Sequence, residues 1–100
     1  MEFLLEFGLT NEDIDNIKKV NSKGIINNVI INRRNVYEVV SYLKEIGIND
    51  KRIKDLFIQQ IGIFFKSKAE LEQVFEEYEI ESITKSLNYD VNTVDLIEFE

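Results

Sequence analysis

The chain states one pattern twice: EFGLTNEDIDNIKK at residues 6–19 recurs as EIGINDKRIKDLF at residues 45–57. Each copy ends a helix at a glycine, follows it with an aliphatic residue and opens a second helix on a capping side chain. Any fold for this sequence must therefore accommodate helix, sharp turn and helix more than once. Glycine takes left-handed backbone at a helix end without steric cost. Gly8 and Gly47 are accordingly expected at positive φ, with Leu9 and Ile48 turned back onto the helix just finished.

Apolar spacing extends the helical reading along the chain. Phe3, Leu4 and Phe7 make a short first helix, and Thr10 with Asp13 three positions on opens a second over about residues 11–20, burying Ile14 and Ile17. Ser22, Lys23 and Gly24 interrupt it. Val36, Val39, Val40, Leu43 and Ile46 form one stripe of a helix over residues 33–46. Asn49 caps the next, through Ile53, Leu56 and Phe57, with Gly62 weakening its end. Ser67 and Glu70 form a full S-x-x-E signal leading into Leu71, Val74, Phe75 and Tyr78. Ile83 and Leu87 predict a further short helix, and Asn92 is placed to cap a last one through Val94 and Ile97. The β-branched runs at 25–31 and 91–96 have neither a hairpin turn nor a partner of matching length, so both are read as helical.

Self-alignment gives the period. At an offset of 39, Leu4, Gly8, Leu9, Ile14 and Ile17 fall on Leu43, Gly47, Ile48, Ile53 and Leu56; at an offset of 32, Val39, Tyr42, Leu43, Ile46 and Ile48 fall on Leu71, Val74, Phe75, Tyr78 and Ile80. The expected fold is all-α: a short right- or left-handed stack of helix-turn-helix repeats of about five to seven helices, in one domain with units at 3–31, 32–66 and 67–100. The competing reading is two unrelated hairpins sharing generic glycine-then-cap chemistry.

Composition narrows the function classes. Hydrophobic residues at 44% and a charged fraction of 31%, well interleaved, suit a folded domain of 100 residues. The absence of cysteine and histidine leaves no disulfide framework, thiolate nucleophile, zinc-thiolate site or imidazole base, and is compatible with the cytoplasm or another reducing compartment. The longest apolar run, Ile61–Phe65, is five residues and contains a glycine, too short to span a bilayer. Glu2 and Glu6 do not read as a signal peptide. The net charge of -7 is unevenly placed. Residues 1–68 carry eleven Lys and Arg against nine Asp and Glu, a net +2, whereas residues 69–100 carry Lys85 against ten acids, a net -9.

The repeated segment resembles the mTERF family, the repeats of mitochondrial transcription termination factors, whose pattern runs helix, leucine-glycine, cap, helix with an early isoleucine, proline, a leucine pair and a serine. Leu43, Gly47, Ile48, Ile53, Leu56 and Phe57 match it, Ile63 and Phe64 stand for the leucine pair, and Ser67 for the serine, with coverage of about residues 3–78. The family's proline has no counterpart, its place falling near Ser22 and Ile61. The resemblance implies a curved helical stack with a basic concave groove for nucleic acid. The cations that would serve phosphate are Lys18, Lys19, Lys23, Arg33, Arg34, Lys51, Arg52 and Lys54. Tyr37 and Tyr42 are the aromatic candidates for base stacking, or flanks of a buried stripe.

Enzyme readings find less support. Glu76, Glu77, Glu79 and Glu81 frame Tyr78 and Ile80 as a solvated helix face rather than an activated carboxylate pair. Asp90 and Asn92 begin a D-x-N calcium loop but place Asp95 where its glycine belongs. The SKG at 22–24 lacks the spaced glycines that cradle phosphate. No catalytic, metal-ligating or cofactor-binding residue is assigned. The expectation is a non-catalytic interaction module with a protein partner, met by the acidic last third or by an uncovered end of the stack. Weak nucleic-acid binding through the basic residues is the alternative.

Overall fold

The computed structural model describes residues 1–99, and among them the chain is all α-helical, with six α-helices, three 3-10 segments and no strand. A 3-10 segment over Glu2–Phe7 leads to α1 (Asn11–Val20) and α2 (Lys23–Ile31); α3 (Arg33–Glu45) and α4 (Asp50–Gln59) follow, closed by a second 3-10 segment over Ile61–Phe65. The last part is α5 (Lys68–Glu77), α6 (Ile80–Tyr89) and a third 3-10 segment over Val91–Leu96. In the order of packing, α1 lies on α4, α2 and α5 lie on α3, and α6 lies on α5. The middle pair therefore forms the heart of the stack.

Local chemistry explains where the helices start. Thr10 accepts the Asp13 N–H at 3.1 Å while the Asp13 carboxylate accepts the Thr10 N–H at 2.9 Å, so the first cap is a complete reciprocal box. Those bonds hold the Asp13 carboxyl below the usual carboxylate range, against an opposing effect of burial, with Lys54 adding to the depression. Ser22, Asn49 and Ser67 each accept the N–H three residues on. The box expected at Ser67 is only half formed, because the Glu70 carboxylate lies 3.8 Å from Lys66 Nζ, one turn back. Asn92 does not cap the last segment: Asp90 does, accepting the Asn92 N–H at 2.9 Å, while the Asn92 side chain bonds those of Gln59 and Gln60 at 3.0 Å. Nor does α4 reach Gly62, which sits inside the 3-10 segment.

The two glycines behave as expected, Gly8 with φ 89° and Gly47 with φ 106°. At Gly47 the geometry is a full Schellman turn, the Gly47 N–H donating to Lys44 at 3.1 Å and the Ile48 N–H to Leu43 at 2.9 Å. Leu9 and Ile48 are both buried. A third sharp turn was hidden in the sequence. Glu79 lies 32 residues after Gly47 and is the one non-glycine with positive φ among the described residues, at 67°. Its ψ of 115° departs from the left-handed helical geometry of Gly8, so the turn is sharp without repeating the glycine conformation. Glu79→Gly is expected to stabilise the fold by about 1 kcal/mol, the relief of strain exceeding the added freedom of the unfolded chain. Denaturant unfolding checks this; a loss of stability would show that the Glu79 side chain contributes more than its backbone costs.

Two polar seams join the helix pairs. In the first, the Asn35 side chain on α3 donates to the carbonyls of Phe64 at 2.9 Å and Lys66 at 2.8 Å, fixing the end of the second 3-10 segment. In the second, α6 grips the Gly47 turn: the Asn88 amide donates to Gly47 O and accepts from the Asn49 N–H, both at 3.0 Å, and Thr84 donates to Ile46 O at 3.2 Å. The core between the seams is apolar, with no buried charge among the described residues. One hydroxyl within it, that of Tyr42, has no hydrogen-bond partner among them. Tyr42→Phe is expected to stabilise by about 1 kcal/mol, since the variant no longer buries an unpaired polar group. Burial, reinforced by Glu72, Glu76 and Glu45, pushes the Tyr42 phenol above its ordinary value. The folded state thus holds a proton that the unfolded chain releases near pH 10. Stability present below that pH is lost as pH rises beyond it. Urea melts at pH 8 and 10.5 should show a larger advantage for Tyr42→Phe at the higher pH.

Candidate functional site

The eight cations predicted for a phosphate-binding face are divided by the structure. Arg52 is committed internally: its Nε donates to Asn88 O at 2.7 Å, one Nη to Tyr89 O at 3.3 Å, and the other pairs with Asp55 at 3.0 Å. It serves the open carbonyls at the end of α6, where a cation is electrostatically favoured. Lys54 lies 3.4 Å from the Asp13 carboxylate of the first capping box. The other six are exposed and have no ion pair among the described residues. Tyr42 is buried against Phe75 and offers no face to a base. Tyr37 packs edge-on to Phe7 at 5.2 Å and donates its hydroxyl to the Glu6 carboxylate, which raises its pKa.

Three of those six come together around α2. Lys18 and Lys23 line a groove between α1 and α2 with Ile26, Asn21 and Asn27, a volume of about 310 Å³. Lys18 also joins Arg33 and Ile30 around an adjacent cleft of about 450 Å³, shared with Glu2 and Asp15. Ile26 and Ile30 are one helical turn apart on α2, so the two hollows form one surface with Lys18 between them. Lys19, Arg34 and Lys51 are exposed but line neither hollow. The helix beneath is unusually apolar: Val29 is buried, yet Ile31 is 78% exposed, and Val20 at the end of α1 is 74% exposed.

The last helix pair carries a surface of opposite sign. Tyr78 stands between two hollows. One, of about 470 Å³, is walled by Glu70, Glu77 and Glu98 with Gln73 and Val74. The other, of about 250 Å³, is floored by Ile83 and Ile97 and edged by Leu96, which is 79% exposed. Lys66 reaches this neighbourhood through Glu70 and the Phe99 ring, its Nζ 5.2 Å from the ring centroid. Glu76, Glu77, Glu79 and Glu81 are all exposed and solvated. Among the described residues no three acids or other ligating side chains gather around a point that could hold a metal ion, and no helix is long and apolar enough to cross a membrane.

Comparison with protein-family models, with curated proteins and with solved structures finds no match to this chain. Sequence reasoning missed the apolar side of the site, although a signal was present: IINNVII places aliphatic residues on more of the α2 surface than one buried face can use. It also placed Arg52 among free cations, since nothing local announces a partner 36 residues away.

Proposed function

We infer that this chain is a non-catalytic helical-repeat module that binds protein. The observation that carries the reading is the aliphatic surface of the first helix pair, Ile26 and the exposed Ile30, set beside Lys18, Lys23 and Arg33. Apolar contact area enclosed by a charged rim is the composition of a protein-binding patch. The test is capture on the immobilised chain. Wild type should retain a protein ligand that Ile30→Asp releases, with the thermal melt unchanged because Ile30 is exposed. Equal retention by the two would remove this patch as the contact.

Nucleic-acid binding is the second reading. It is favoured by the six exposed cations and by the mTERF resemblance, and weakened by the internal commitments of Arg52 and Lys54 and by the loss of Tyr42 as a stacking platform. Titration into labelled single- and double-stranded oligonucleotides at two salt concentrations separates the readings. No measurable binding at moderate salt is expected. Micromolar binding that collapses as salt rises would reverse the ranking, because phosphate contacts act through counterion release.

A further inference from the structure

We propose that the α1–α2 surface takes, as its partner, the Tyr78–Leu96 surface of a second copy of this chain, in a head-to-tail association. The proposal rests on the protein-binding reading and names its partner. The two surfaces match in kind: each has an aliphatic or aromatic centre, Ile26 and Ile30 on one and Tyr78, Leu96 and Ile97 on the other. They differ in sign. Lys18, Lys23 and Arg33 outnumber Glu2 and Asp15 around the first, while Glu70, Glu77 and Glu98 wall the second, where Lys66 is already beside Glu70.

Charge decides which faces can meet. Two acidic faces drawn from segments of net -9 would repel, and two basic faces would repel more weakly, so a two-fold arrangement that pairs a surface with itself is disfavoured. Basic against acidic is the complementary pairing. Within one molecule the two cannot meet, because α3 and α4 lie between the first and last helix pairs in the order of packing. A second copy supplies what the first cannot. Such contact continues the stack from one chain to the next, as repeat units continue it within a chain.

The experiment uses the whole chain in sedimentation velocity across a concentration series at 50 and 500 mM salt, with Ile30→Asp and Leu96→Asp as single variants. Both residues are exposed, Ile30 at 44% and Leu96 at 79%, so both variants should fold, and unchanged melts verify it. Wild type should associate, at least about tenfold more weakly at the higher salt, and each variant alone should be monomeric. An equimolar mixture of the two variants should form a one-to-one dimer, since one retains an intact acidic face and the other an intact basic face. Wild type that stays monomeric at low salt and hundreds of micromolar overturns the proposal, as does association that either variant retains, or variants that fail to pair when mixed. If self-association is absent while Ile30-dependent capture of another protein persists, the head-to-tail partner is wrong and the protein-binding reading stands. Loss of both ends both.

Discussion

Truncating Phe64 to alanine should cost about 3 to 5 kcal/mol, the largest effect expected of any single side chain here. The Phe64 ring is fully buried and lies face to face with Phe57, centroids 3.9 Å apart and planes within 4°, and Phe57 in turn stacks on Phe7 at 5.6 Å. The three rings come from three different elements, the first 3-10 segment, α4 and the second 3-10 segment. Removing the outer ring opens a void that none of those backbones can close alone. For a domain whose total stability is about 5 to 15 kcal/mol, the variant should be close to unfolding at moderate temperature. The adjacent Phe65, 37% exposed, provides the control. Phe65→Ala should change stability by about 1 kcal/mol or less. Urea unfolding of the pair, read at the midpoint with the slope unchanged, decides it. Comparable losses would mean that the core does not depend on which of the two neighbouring rings enters it.

Gly47→Ala should cost about 2 kcal/mol or more, and Gly8→Ala about 1 kcal/mol. Both positions have positive φ, so both variants strain the backbone. They differ in surroundings: a Cβ at Gly8 meets nothing within 4 Å, whereas one at Gly47 would sit 3.3 Å from Thr84 Cγ2 on α6. Thr84 cannot withdraw easily, because its hydroxyl bonds Ile46 O. Replacing it with serine keeps that bond and removes the methyl. The Gly47→Ala loss should therefore shrink in a Thr84→Ser background, measured as a double-mutant cycle. A Gly8→Ala loss as large as that of Gly47→Ala would show that backbone conformation alone sets the cost.

Both expectations draw on features that were readable in the sequence. The capping side chains and the two glycines are local, governed by residues within a turn of one another, whereas the burial of one phenylalanine at 64–65 was legible only as a requirement of the apolar pattern. The misread elements fail for different reasons. Ser67 satisfies every local requirement of a reciprocal box, but Lys66 draws Glu70 away. Asn92 is a good cap by type, yet its side chain meets Gln59 and Gln60 across the fold. Glu79 was unreadable as a turn because a glutamate gives no local signal for positive φ. On the surface, the basic residues were visible as a list, and only the fold divides Arg52 and Lys54 from Lys18, Lys23 and Arg33.

The grip of Asn88 on the Gly47 carbonyl spans 41 residues, and the Arg52 bond to Asn88 O spans 36. A chain emerging from the ribosome reaches Gly47 long before it reaches Asn88. The Schellman turn closes locally as soon as Ile48 is out, but its outer carbonyls then face water until α6 arrives. Asn35, tied to Phe64 and Lys66 across 29 and 31 residues, can engage earlier. The middle turn is thus shaped by its own residues and clasped by distant ones. A chain cut between Tyr78 and Thr84 would keep that turn but leave its Ile46 and Gly47 carbonyls without their side-chain donors.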